Sequence, residues 1–260
     1  MVRKILEEMS VYYRKSINKR RQVEGRGQQI GPGPDLQKEG TVKEGNIHSD
    51  GQCVSLEDSD KVLARLKESF SDKREIFDHL YKFLLECYDQ RDHVSAYDYA
   101  EKMLLYAGDA RDKAYCLLCM GQAKERAGDY GEALKIYLSA MDLPQERNDD
   151  WYFLNNNLGY CLNLFGRHVE AAPYCLAAID INPRHYNAYK NLGVALQGQG
   201  EYSKAASAYI VATHIWPRDG RALNLLEELV SREREHLLDI NDLIAEVRRC
   251  RDLVERATLH

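Results

Sequence analysis

The feature that most constrains this chain is that it repeats itself. Laying the sequence over itself at a step of 34 residues brings Leu192, Gly193 and Leu196 onto Leu158, Gly159 and Leu162. The same step carries Gly200 onto Gly166, Ala205 onto Ala171, Ala212 onto Ala178 and Pro217 onto Pro183. A second step back, now of 38 residues, reaches Met120, Gly121, Gly128, Ala133, Tyr137 and Ala140, followed by Pro144. Each unit reads as one helix, a glycine that ends it, a second helix, and a proline that stops the pair. One such hairpin cannot bury its apolar face, so the units must stack on their neighbours.

The order of an aromatic, Leu-Gly, Tyr, then Ala, an aromatic, Ala and Pro resembles the tetratricopeptide repeat. The resemblance covers Ala114 to Asp219 and extends more weakly over Phe77 to Lys113, where Phe83, Cys87, Ala96 and Tyr99 hold the pattern but Leu84 replaces the glycine. It implies an all-α, right-handed α-solenoid of tetratricopeptide hairpins, about three clear and one degenerate, with a long C-terminal capping helix. Lys124 at an apolar position, Asn155 at the first aromatic position and Pro173 inside a second helix depart from the pattern. The proline should bend its helix slightly.

Around this array the expected organisation is a basic amphipathic N-terminal helix over 1–22, a flexible linker over 23–56, a helical region with the degenerate repeat over 57–113, three repeats over 114–219, and the capping helix over 220–260. Ile5, Leu6, Met9, Tyr12, Tyr13 and Ile17 mark one side of the first helix, with Arg14, Lys15, Lys19, Arg20 and Arg21 late in it. The linker carries Gly31-Pro32-Gly33-Pro34 among other glycines, and has too few large apolar residues to offset its ordering entropy. It is long enough to let the first helix reach back to the repeats.

Small residues at the glycine and the two alanines should mark where the paired helices approach most closely. With 100° per residue, the wheel of each first helix then turns the opposite side toward the concave face. In the middle repeat that side reads Phe153, Asn156, Asn157, Tyr160, Asn163 and Leu164, with no charge. Tyr115 and Gln122 extend it on one flank, and Asn187, Lys190, Asn191 and Val194 on the other. These residues are the expected peptide-binding groove. Asn157 and Asn191 hold equivalent positions, so their amides should point in parallel into it. The family resemblance implies a protein-interaction role in which such asparagines hold an extended segment of a partner protein. The lysine and arginine set with which chaperone-binding members clamp a C-terminal carboxylate is missing, and a weaker similarity points to bacterial secretion chaperones built from three such repeats. Alternatively, the groove is filled by the chain itself.

Other chemistry finds little footing. A net charge of −5 gives no basic field for phosphates, so a nucleic-acid partner is not expected. Seven cysteines show no paired framework, which fits a reducing, cytoplasmic setting. Cys116 and Cys119 form one Cys-x-x-Cys without a second pair, and the eight histidines include no HExxH. His168 and His214 read as surface residues. There is no phosphate loop and no nucleophile elbow. Neither metal, cofactor nor catalysis is expected, and the N-terminal residues offer no unbroken apolar run for a membrane.

After Pro217, Asp219 can cap a helix that meets no Gly or Pro beyond Gly220 and could run to Arg256. Leu223, Leu226, Val230, Leu237, Ile240, Ile244, Val247 and Val254 follow a heptad register broken at Glu233 and Arg251. Such a helix either folds over the last repeat, with a bend near Asp239, or pairs with a second copy in a homodimer.

Overall fold

The computed structural model describes residues 58–237 and 240–259. The expected N-terminal helix and linker lie outside the described residues. Eleven α-helices follow one another, and no strand occurs among the described residues. They are α1 (Ser59–Ser69), α2 (Lys73–Asp89), α3 (His93–Leu104), α4 (Ala110–Arg126), α5 (Tyr130–Ala140), α6 (Asp149–Leu164), α7 (His168–Ile181), α8 (Tyr186–Gly198), α9 (Tyr202–Ile215), α10 (Arg221–Arg232) and α11 (Ile240–Thr258). The hairpins α2–α3, α4–α5, α6–α7 and α8–α9 stack in sequence, α1 rests on the first of them, and α10 and α11 close the far end.

The turn inside each hairpin is closed in the same way. In the second, Gly128 adopts φ 79°, its N–H donates to the Glu125 carbonyl, and the next N–H, of Asp129, donates back to the Lys124 carbonyl at 2.9 Å. Gly166 and Gly200 repeat this geometry. It is the left-handed helix stop that glycine adopts without steric penalty. The first hairpin makes the same turn with Arg91 at φ 58°, its following N–H, of Asp92, bonded to the Cys87 carbonyl. Aspartate or asparagine then caps the start of several helices, as Asp92, Asp109, Asp129 and Asn148 do by accepting first-turn N–H groups.

Where the paired helices touch, the glycines are obligatory. A Cβ on Gly121 would lie 2.2 Å from the Tyr137 ring, one on Gly193 would lie 2.4 Å from the Tyr209 ring, and one on Gly159 would lie 2.6 Å from Cys175 Sγ. Aligning the first hairpin on its turn gives a different solution. Leu84 falls in the glycine's place and Ala100, not Tyr99, in the tyrosine's; both are fully buried. Bulk has been exchanged between the two helices, and Tyr99 instead stacks on Phe83 at 5.4 Å.

The departures from the pattern also find partners. The Lys124 ammonium sits 4.1 Å from the centre of the Tyr97 ring. The buried Asn155 amide donates to the Trp151 carbonyl. Helix α7 runs through Pro173 from His168 to Ile181. The four additional residues of the second repeat fall in 141–148, where Asn148 caps α6 so that Asp149 and Asp150 lie in its first turn.

The terminal segment is two helices rather than one, folded back over the last repeat and broken close to the expected bend near Asp239. Helix α10 ends at Arg232, a short 3₁₀ turn covers Arg234–His236, and the buried Leu237 leads toward α11. Between Ser231 and His236 no apolar side chain is available to bury, so extending the helix there gains little. Folding back places Leu243, Val247 and Cys250 in one core with Tyr209, Leu223, Leu226 and Leu229. Of the heptad residues, Leu223, Leu226, Leu237 and Val247 are thus buried inside the chain, with Val230 and Val254 packed against them. Gly220 rather than the expected Asp219 is the cap residue of α10, and the Asp219 carboxylate accepts from the Arg221 N–H one residue further on.

Candidate functional site

The first helices of neighbouring hairpins, α4 with α6 and α6 with α8, touch one another directly, while the second helices meet mainly their own partner and the first helix that follows. This closer approach puts α4, α6 and α8 on the inside of the curve. Their shared face holds the residues singled out in the sequence. Tyr115, Gln122, Phe153, Asn157, Tyr160, Asn187, Lys190 and Val194 are half-buried on it. Asn156, Asn163 and Asn191 are instead buried, at 7%, 8% and 5% exposure, and so serve the fold rather than an open groove.

The asparagine amides do not stand in parallel. Asn191 donates to the side-chain oxygen of Asn156 at 3.0 Å, Asn156 donates to Asn157 Oδ1 at 3.0 Å, and Asn157 donates to the Tyr137 hydroxyl at 3.2 Å. Tyr137 in turn donates to Glu125 at 2.7 Å. Asn163 donates to the Asn191 carbonyl at 2.8 Å, and its own oxygen meets His168 Nδ1 at 3.0 Å. A chain of hydrogen bonds therefore runs from α4 to α8. The helical wheel gives the face of each asparagine but not its neighbour, and two amides on adjacent helices satisfy each other before they reach outward. His168 is corrected too: half-buried, it fills the space over Gly198, where a Cβ would come within 2.1 Å of the ring.

Charge on this face is sparse and poorly compensated. Burial raises the pKa of the Glu125 carboxyl, offset in part by hydrogen bonds from Tyr137 and Cys161. Burial also raises that of Asp150, a residue the sequence reading passed over, with Arg111 opposing the shift and Asp149 and Glu146 adding to it. The Lys190 ammonium is held down to about 8 by burial and then by the neighbouring charge of Arg221, against the attraction of Asp219. Burial pushes the Tyr160 hydroxyl up to about 12, and its ring meets Tyr130 edge-on at 6.1 Å.

Nothing on the face has the makings of a nucleophile. Cys119 is buried, and its thiol is pushed up to about 11; the Cys87 and Cys175 thiols are pushed up to about 12. Among the described residues one group has the composition of a metal site: His214, Glu246 and Cys250, with donor atoms within 4.8 Å of one another. Glu246 already meets His214 Nε2 at 3.0 Å and Arg249 at 3.2 Å, and the buried Cys250 thiol is pushed up to about 12. The arrangement is a tether between α9 and α11, and His214, exposed as expected, forms its surface end.

Comparison with known proteins agrees with this architecture. A family model described as a tetratricopeptide repeat matches residues 174–206. Residues 174–206 thus match a tetratricopeptide repeat, a motif that generally mediates protein–protein interaction, and the neighbouring hairpins share its architecture. It is 29% identical over 120 residues to the photosystem I assembly protein Ycf3 of Rippkaea orientalis, covering 44% of this chain and 69% of that protein. It is 32% identical over 105 residues to the small glutamine-rich tetratricopeptide repeat-containing protein 2 of Mycosarcoma maydis, covering 40% of this chain and 29% of that one. Against a Ycf3 of Cuscuta gronovii the match spans about half the relative, 52%. Among solved structures, MamA from Desulfovibrio magneticus RS-1 superposes with a TM-score of 0.56 at 19% identity, over 72% of this chain and 97% of that one, a likeness of fold. No helix among the described residues is long and apolar enough to cross a membrane.

Proposed function

We propose that this protein is a non-catalytic adaptor or scaffold that holds an extended segment of a partner protein along the face of α4, α6 and α8, with a chaperone-like or assembly role in the cytoplasm. The observation that carries this reading is the continuous half-buried stripe of Tyr115, Gln122, Phe153, Asn157, Tyr160, Asn187 and Val194 across three adjacent helices, which holds aromatic and amide groups where a merely solvated face would hold ions. Aromatic side chains give pockets for a partner's side chains, and the Asn157 and Gln122 amides suit its backbone. A relative named as an assembly protein supports a role of this class. Self-pairing through the terminal helix is the weaker reading, since Leu243, Val247, Cys250 and Val254 are already packed against α9 and α10.

The test is a photo-crosslinking amino acid placed at Gln122 or Asn187, and in a control chain at the exposed Ser139 of α5. Crosslinks to the same partner from Gln122 and Asn187 but not from Ser139 are expected. Crosslinking from Ser139 alone would move the site off this face, and crosslinks from Gln122 into residues 1–56 of the same chain would mean that the groove is self-filled.

A further inference from the structure

The groove face carries opposite charges on two adjacent helices, and neither is answered from within the fold. Asp150 lies in the first turn of α6, one turn ahead of Phe153 and two ahead of Asn157, on the same side of the helix. It is half-buried, and among the described residues its carboxylate has no hydrogen bond or ion pair; Arg111 acts on it only at longer range. Its charge also bears on the Cys119 thiol of α4, which hydrogen-bonds Tyr115 and Tyr88. Lys190, on α8, is half-buried as well, with a single acceptor at Asn187 Oδ1, 3.0 Å away. The nearby Asp219 is already engaged by the guanidinium of Arg221 through Nε and Nη2. Burying an unmatched charge is unfavourable, and both groups are shifted toward their neutral forms. Unmatched charges in a cleft mark places where a ligand supplies the counter-charge.

We propose that the segment held in the groove carries a lysine or arginine that pairs with Asp150 and an aspartate or glutamate that pairs with Lys190. The proposal rests on the reading of this face as a peptide site and specifies its partner. The spacing follows from the fold. Adjacent packed helices lie about 8–10 Å apart, and the six-residue offset of Lys190 from Asp150 in the repeat frame adds about 9 Å along the axis. The two charges are then roughly 13 Å apart, which an extended chain at about 3.3 Å per residue spans in about four residues. In the repeat frame Phe153 lies between the two charges, where its ring can receive the intervening residues.

The experiment is selection of a phage-displayed library of random peptides on the full chain, and in parallel on Asp150→Lys, Asp150→Asn and Lys190→Glu chains of matched helicity. The wild type is expected to enrich peptides with a basic and an acidic residue at one fixed offset. The Asp150→Lys chain should exchange the basic residue for an acidic one, Lys190→Glu should do the reverse, and Asp150→Asn should weaken a wild-type peptide about tenfold, the loss of roughly one charge pair. Enriched peptides with no fixed charge pair, or the same peptides from every chain, would overturn the charge assignment while leaving the groove in place. Peptides that still bind after Gln122→Arg and Val194→Arg, or no enrichment by any chain, would overturn the groove itself and the assignment with it.

Discussion

At Gly193 a single hydrogen atom decides how closely two helices approach. Replacing it with alanine sets a Cβ against the fully buried Tyr209 ring, which has nowhere to move. Gly193→Ala is expected to destabilise the protein by about 1–3 kcal/mol in urea unfolding, and a second change, Tyr209→Leu, should recover part of the loss by vacating the ring's place. Lys190 works the other way. Its folded pKa, about 8, lies below the ordinary 10.5, so the folded state disfavours the charged form and unfolded chains bind more protons between those values. Wild-type stability should therefore rise as pH climbs from about 8 to 10.5, a dependence absent from Lys190→Met. At neutral pH, where both states carry the charge, Lys190→Met should be more stable by about 1 kcal/mol after discounting for solvent screening. A less stable Lys190→Met chain would show that the ammonium contributes to the fold. The glycines were legible in the sequence because a missing side chain repeats with the unit. Asp150 was not, because it precedes the repeat frame and its meaning comes from Arg111 and Cys119 on another helix.

At the scale of the element, the hairpins were legible and their ends were not always. The turn glycines and following prolines mark the helix limits, but the first hairpin hides its kinship by placing Arg91 in the left-handed turn and exchanging bulk between Leu84 and Ala100. Helix α11 was expected as the far part of one terminal helix that either bends near Asp239 over the last repeat or pairs with a second copy. Its heptad pattern is real, yet the same apolar stripe serves an internal core as readily as a second chain, and sequence periodicity alone does not distinguish them. The anchor of α11 is the buried Glu246 carboxylate, bonded to His214 of α9. Replacing His214 with alanine removes one of its two partners and should cost about 1–3 kcal/mol. By hydrogen exchange the loss of protection should be confined to α10 and α11; equal loss in α6 would mean that the tether governs the whole array.

For the whole molecule, the spent apolar stripe predicts a particle of one chain, 29.9 kDa by light scattering, and a dimer that dissociates when α11 is removed would reverse that reading. Contacts in such an array run only between neighbours, so its resistance to deformation varies along its length. From α4 to α8 the first helices are joined by the chain of amides and hydroxyls through Glu125, Tyr137, Asn157, Asn156, Asn191 and Asn163. Twisting these repeats against one another must break this run of mostly half-buried and buried hydrogen bonds, while the first hairpin and the α10–α11 cap are held by apolar contacts and a few separate polar ties such as Arg74–Asp112 and Arg251–Glu227. Mechanically the molecule is a spring with a stiff middle coil. Under tension it would unwind from its ends, and a flexible segment laid along the centre would have to adopt the pitch of that coil, bearing the conformational adjustment of binding itself.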